Sequence, residues 1–377
     1  MYISKCCAYP NFGTKIIDSH VHVGNLNGKY YDLDHLEPFF NKLPNGDKVE
    51  KMIVSDLDVL QGIGAQKDRT EYLIRHITDT DRYALLASCN VKEDANIMRN
   101  LITENRKSFV GLKFHPHLQN LPITDAKYKP YFQLASDFKL PCLIHSVASI
   151  TNEGKLTGEL EKFADPKDIY TVAKNYKETP FIMAHLGSGW KEAHSYTVDV
   201  LIESIKKGDA NLYADFSWVD IDYYVDNKAS KENLISAIKR LKGIGEENWT
   251  YGDQSFRLLF GSDAPVDRFS DKTTRIKEYN RFIEEIKTAI RNDSELHPNA
   301  ENIIDDLFYN NTKNLYKLKG KELPARKIPA GEKALNYLSK NWSKFTIGAG
   351  ALFIGAMALC YHSDYKEKNK PNLSLVG

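Results

Sequence analysis

Cysteine is scarce in this chain: five in 377 residues, none in a Cys-x-x-Cys spacing. Cys6, Cys7, Cys89, Cys142 and Cys360 therefore build neither a disulfide scaffold nor a zinc ribbon. Such sparse usage fits a reducing compartment. Net charge is almost absent as well, with 51 Lys and Arg against 50 Asp and Glu. Without a basic surplus nucleic acid is not an expected partner, and without an acidic one no solvating tail is expected. No unit of 20 to 50 residues recurs, which argues against a solenoid. The first 13 residues lack a basic stretch followed by an apolar one, so no cleaved secretory signal is expected. Hydrophobic residues at 42% and charged residues at 27% are enough for a large core and rule out global disorder.

The chain does contain a recurring alternation. Eight short apolar runs, at residues 15–18, 52–55, 83–89, 109–114, 141–144, 180–184, 211–216 and 257–260, are separated by polar turns and helical patterns. The runs are nearly continuous in apolar residues, as expected of parallel strands covered on both faces. Helical periodicity is clear at 230–242, where Leu234, Ile235, Ile238 and Leu241 share a face, and at 274–290. It recurs at 299–318, with Asn299 as the expected N-cap over buried Ile303, Ile304, Leu307 and Leu315. Eight strand–helix units over about 300 residues predict an α/β fold, a closed (β/α)8 TIM barrel. The rival is an open doubly wound sheet, and the positions of the polar residues described below favour the barrel. The expected organisation is an N-terminal segment (1–14), a barrel (15–318), a basic linker (319–344), a candidate transmembrane helix (345–361) and a polar tail (362–377).

That candidate helix, FTIGAGALFIGAMALCY, carries no charge and is apolar all round. Its length as a helix is about 25 Å, slightly short of a hydrocarbon core of about 30 Å. Trp342 and Tyr361 stand where interfacial aromatics would, and Gly348, Gly350, Ala351 and Gly355 would let another helix approach. The preferred reading is a membrane anchor. The alternative is a terminal helix buried at a contact in a homo-oligomer, in a soluble cytoplasmic protein. Six Lys or Arg in 321–344 (Lys321, Arg326, Lys327, Lys333, Lys340 and Lys344) outnumber the three that follow the run. The positive-inside bias then places the main domain on the cytoplasmic side.

Potential metal ligands cluster at the ends of the runs. His20 and His22 follow the first run two residues apart, a spacing that points both imidazoles the same way in an extended segment. Lys113 lies in the fourth run, with His115 and His117 just beyond. His145 ends the fifth run, His185 the sixth, and Asp263 stands in Gly-Ser-Asp after the eighth. In a parallel barrel these ends meet at one rim, where active sites sit. Any one of these residues alone reads as an ordinary hydrogen-bonded histidine or turn-capping aspartate. Four histidines and an aspartate at successive strand ends point to a site. His35, His76, His194, His297 and His362 lack this context.

The segments IIDSHVHVG (16–24), VGLKFHPHLQ (110–119), PCLIHS (141–146), FIMAHLGS (181–188), LLFGSDAP (258–265) and NNTKNLYKL (310–318) resemble the amidohydrolase superfamily. The likeness is to its amidohydrolase-related branch of metal-dependent barrel hydrolases, which includes aromatic-acid decarboxylases. The resemblance implies that His20, His22, His145 and Asp263 bind one divalent ion, Zn2+, with His185 beside it. Imidazoles and a carboxylate suit zinc, and an open position would hold a water whose pKa falls toward about 7. Asp263 would take that water's proton. Lys113 has three readings: a carboxylated bridge between two ions, a contact to a substrate carboxylate, or an ordinary salt bridge. The expected function is metal-dependent hydrolysis of a small-molecule amide, ester or lactone. The alternatives are a non-oxidative decarboxylase of an unsaturated or aromatic acid, or a catalytically silent, membrane-attached barrel.

Overall fold

The structure, a computed structural model, describes residues 13–41, 43–77, 79, 81–147, 160–187, 191–217, 228–244, 257–264 and 272–319. Each of the eight apolar runs contains or overlaps a strand. They are β1 (Lys15–Leu26), β3 (Lys48–Asp56), β4 (Tyr83–Ser88), β5 (Phe109–Phe114), β6 (Cys142–Ile144), β7 (Phe181–Met183), β8 (Leu212–Asp215) and β9 (Leu258–Leu259). These pair in sequence order, always in parallel. An unforeseen short strand, β2 (Lys29–Tyr31), folds back antiparallel on the end of β1. The hairpin turn is Asn27-Gly28, both at positive φ (50° and 80°), a pair suited to a tight two-residue turn.

The last strand returns to the first. Ser19 N donates to Phe260 O at 3.0 Å, Asp263 N to His20 O at 2.7 Å and His22 N to Ala264 O at 2.6 Å. These bonds close the sheet and exclude the open doubly wound arrangement. Parallel strands need long crossovers, and helices supply them. They are α1 (Leu57–Gln61), α2 (Gln66–His76), α3 (Ala95–Glu104), α4 (Pro116–Gln119), α5 (Lys129–Phe138), α6 (Pro166–Ala173), α7 (Lys191–Lys207), α8 (Lys228–Leu241) and α9 (Lys272–Asn292).

Two cores result. A large one packs helices against the outer faces of the strands. The smaller fills the barrel: Ile17, Ile53, Leu86, Leu143, Ile182 and Leu259, joined by partly buried Val110 and Tyr213, provide one side chain from each parallel strand. Tyr309 and Tyr316 join the same interior cluster. A Cβ on Gly111 would lie 2.8 Å from Leu86 Cδ2, 2.9 Å from Pro141 O and 3.1 Å from the Tyr316 ring, so the strand approaches this closely only as glycine.

The terminal helix differs from expectation. Asn299 makes no side-chain cap bond, and the run divides into α10 (Ala300–Asp305), a π-helical turn (Asp306–Asn310) and α11 (Asn311–Leu315). The wider turn still buries Leu307, Phe308 and Tyr309. Among the described residues no helix is long and apolar enough to cross a membrane. The proposed anchor 345–361, its linker from residue 320 and Cys6, Cys7 and Cys360 lie outside the described residues. Cys89 and Cys142 are buried free thiols.

Candidate metal centre

Three functional side chains owe their positions to irregular backbone. Ile17 and His20 are an odd number of residues apart, yet Ile17 packs inside the barrel and His20 meets residues of the opposite strands. The register of β1 against β3 shifts between Asp18 and Val21. This bulge re-aims the histidines, as bulges beside active sites commonly do. His185 (φ 67°) and Asp263 (φ 58°) adopt left-handed conformations after β7 and before the closing bonds to β1. Such backbone costs of order 1–3 kcal/mol per residue and persists where the surroundings impose it. Asp18, fully buried, accepts from Ser262 N at 2.9 Å and from Tyr279 Oη at 3.2 Å, tying the Asp263 turn to β1 and α9. Burial raises the Asp18 carboxyl to about 7.

At the rim, His20 Nε2 lies 3.1 Å from His22 Nε2 and 3.2 Å from Asp263 Oδ1, and His22 Nε2 is 3.0 Å from the same oxygen. Ligand atoms of His20, His185 and Asp263 all fall within 4.8 Å of one another. His145 stands one step back: its Nδ1 is 2.9 Å from His185 Nε2, and its ring is half-buried. Of the four ligands the resemblance implies, His20, His22 and Asp263 are therefore in mutual contact, whereas His145 reaches the cluster through His185. Lys113 is fully buried, and its Nζ lies 2.6 Å from His20 Nε2. His115 stacks on His145 with centroids 3.8 Å apart, and His117 meets it edge-on at 5.1 Å.

Three further residues hold this cluster and were not foreseen. Asp215, the last residue of β8, has Oδ2 3.1 Å from His20 Nδ1 and accepts from His185 N at 2.9 Å. Ser217 Oγ lies 2.8 Å from His20 Nδ1 and 2.9 Å from His185 Nδ1. Ser55 Oγ is 2.7 Å from His22 Nδ1. Asp215 occupies the same strand-end position as the candidate ligands, so the rule applied to the other runs would have found it. The two serines carried no such signal.

Burial holds the His20 and His22 imidazoles below their ordinary range, reinforced in both by the nearby Lys113. It lowers His185 to about 4. His115 and His145 are also pushed well below, first by burial and then by neighbouring cationic side chains. Burial lowers Lys113 to about 8, offset in part by Asp263 and Asp215. Burial opposes ionisation of Asp263, but His20, His185 and the bond from His22 outweigh it and hold this carboxyl far below its usual range. Asp215 behaves alike, through His20 first. The centre thus combines neutral imidazoles, two carboxylates and one buried amine.

The donor set suits a divalent cation. Asp215 Oδ2 and Ser217 Oγ stand behind His20 Nδ1, while Nε2 faces the Asp263 oxygen. Imidazole ligands oriented from behind by carboxylates and hydroxyls are the usual surroundings of a bound ion.

Known proteins agree with this architecture. No curated protein matches the chain. Among solved structures, a dihydroxybenzoic acid decarboxylase from Polaromonas sp. JS666, with bound manganese and 2-nitroresorcinol, is 14% identical. That match covers 82% of this chain and 98% of the other, with a TM-score of 0.53. A 2,6-dihydroxybenzoate decarboxylase from Rhizobium is also 14% identical, covering 82% and 100% at 0.51. A putative amidohydrolase from Staphylococcus aureus is 13% identical, covering 81% and 100% at 0.51. At these identities the likeness is one of fold. The amidohydrolase family model matches residues 54–318, well over half of the chain and all of the barrel from the end of β3 onward. By that match, on this barrel, the chain belongs to the amidohydrolase family.

Proposed function

We propose that the protein is a divalent-metal-dependent hydrolase acting on a small-molecule amide, ester or lactone. One observation carries the reading: a carboxyl group, Asp263, touches the Nε2 atoms of both His20 and His22 at the rim where barrel enzymes work. His20, His22 and Asp263 would hold the ion, with His185 or His145 completing the set. A bound divalent cation supplies Lewis acidity and makes its water a stronger acid. The donors suit Zn2+, and Mn2+ is the other ion to test.

Asp263 accepts the proton as the water oxygen adds to the carbonyl carbon. The same proton then passes to the departing nitrogen or oxygen, so the carboxylate is regenerated. Lys113, as an ammonium, stabilises the negative charge that develops on the carbonyl oxygen. His185 is neutral across the working range, so it orients hydrogen bonds without adding charge.

Lys113 also favours a second reading. A buried amine in the barrel is a grip for a substrate carboxylate, as a decarboxylase of unsaturated or aromatic acids needs, and solved structures with this fold carry that name. The two readings differ in product. Purified protein loaded with Zn2+ or Mn2+ and given amides, esters, lactones and unsaturated acids should release amine or alcohol with acid. CO2 release would transfer the assignment to the decarboxylase. Metal-loaded protein inert toward all of them would leave the silent barrel. The uncharged 345–361 run supports attachment of the barrel to a membrane from the cytoplasmic side. Full-length protein should then need detergent for extraction, and a chain ending at residue 319 should not.

A further inference from the structure

We propose that Ser217 is a positioning residue that sets the tautomers of His20, His185 and, through His185, His145, so that the lone pairs of the rim imidazoles are assigned by one hydroxyl. The argument starts from Asp215, fully buried, whose Oδ1 accepts from two backbone groups, His185 N at 2.9 Å and Ser217 N at 3.0 Å. Ser217 Oγ is in hydrogen-bond contact with Asp215 Oδ1. Two oxygens in contact need a proton between them, and Oδ1 already acts as the acceptor of two N–H groups, so the serine supplies its own.

A hydroxyl has one proton and two lone pairs. With its proton given to Asp215, Ser217 can only accept from its other two neighbours, His20 Nδ1 at 2.8 Å and His185 Nδ1 at 2.9 Å. Both imidazoles therefore carry their proton on Nδ1. For His20 the Asp215 Oδ2 contact at 3.1 Å demands the same. The Lys113 ammonium 2.6 Å from His20 Nε2 agrees, since it needs a lone pair there.

His185 Nε2 is then an acceptor, and the atom facing it at 2.9 Å, His145 Nδ1, must be the donor. His145 is left with its lone pair on Nε2. Three hydrogen bonds thus propagate one choice from a carboxylate on β8 to a histidine after β6, and a fourth carries it to His20. The consequence for the proposed metal centre rests on the reading above: His20 and His145 present Nε2 lone pairs, while the His185 Nε2 lone pair is held by His145. A carboxylate–serine–imidazole arrangement of this kind acts as the orienting shell of a ligand set.

The test is a long-range 1H–15N correlation spectrum of metal-free, full-length protein labelled with 15N-histidine. Its 11 histidines would be assigned by single His→Gln variants. Wild type should show a protonated Nδ1 and a bare Nε2 at His20, His185 and His145. In Ser217→Ala, His185 should lose its single tautomer, and Ser217→Thr, which keeps the hydroxyl, should restore it. The Zn2+ dissociation constant should rise about 10–100-fold in Ser217→Ala and return toward wild type in Ser217→Thr. A proton on Nε2 of His185 in the wild type overturns the proposal even if Ser217→Ala does not fold. An unchanged His185 tautomer in a folded Ser217→Ala also overturns it. Failure of wild type to bind metal would instead remove the metal-dependent reading and leave the tautomer assignment standing.

Discussion

At Gly261 one hydrogen atom is all that separates the chain from His20. A Cβ built there lies 2.7 Å from His20 Cβ, closer than real side chains approach, and a tight 3.1 Å from Ser217 Cβ. Gly261→Ala should therefore displace His20 rather than unfold the barrel. Expected are a loss of metal affinity of at least about tenfold, of the size seen when an orienting contact is removed, and an overpacking cost of about 1–3 kcal/mol. Isothermal titration with Zn2+ and thermal melts read the two effects separately, and unaltered metal affinity would detach His20 from the site. Two residues on, Asp263 needs both its charge and its left-handed backbone. Asparagine tolerates that conformation, so Asp263→Asn tests the charge alone. Turnover should fall by about 10²–10⁴, the range expected for a lost general base, with a circular dichroism spectrum like wild type.

Among the elements, α9 is fastened to the opposite end of the barrel from the rim. Lys287 Nζ meets both oxygens of Asp47 at 2.9 Å, and Asp47 also accepts from Thr14 N at 2.7 Å. Asp47, fully buried, precedes β3, and Thr14 precedes β1, so one ion pair joins two strand starts to a helix. Replacing one partner leaves a buried charge uncompensated, which costs roughly 3–5 kcal/mol. Lys287→Met should lower the melting temperature sharply while leaving Zn2+ affinity intact. A melt within error of wild type would make the pair incidental. The bulge in β1 has the reverse character. Without it Ile17 and His20 would face opposite sides.

For the molecule as a whole, the imidazole cluster makes stability depend on pH. Unfolded, each histidine takes up a proton near pH 6.5, whereas folded His185 does so only near pH 4. Between those values the unfolded chain binds more protons, so stability falls as pH falls. His20, His22, His115 and His145 are shifted in the same direction. Asp18, raised to about 7, and Asp56, raised to about 6, both by burial, act oppositely, since the folded carboxyls keep protons that the unfolded ones release. Five imidazoles outweigh two carboxyls. The melting temperature of metal-free protein should therefore drop between pH 6.5 and 4.5, and a flat or rising profile would contradict the neutral cluster. At neutral pH, Zn2+ at about 100 times its dissociation constant should stabilise the folded chain by about 2.7 kcal/mol, seen as a raised melting temperature.

The sequence by itself determined the eight parallel strands and the class, and it marked candidate residues for the rim. Near-continuous apolar runs reflect burial on both faces, and ligand-bearing residues at their ends need only chain order to be recognised. His20, His22, Lys113 and Asp263 stood out as candidates for that reason. Tertiary structure decided closure, since the bonds from β1 to the Asp263 turn join residues more than 240 positions apart. It also decided the rank of the histidines: His145 stands behind His185 because the turns after β6 and β7, not their residue types, set how far each ring reaches. Asp215 shares the strand-end position of the other candidates, whereas Ser217 and Ser55 carry no pattern of their own. Their role exists only where the curvature of the sheet brings them behind an imidazole, and a linear chain does not encode that proximity in any local signal.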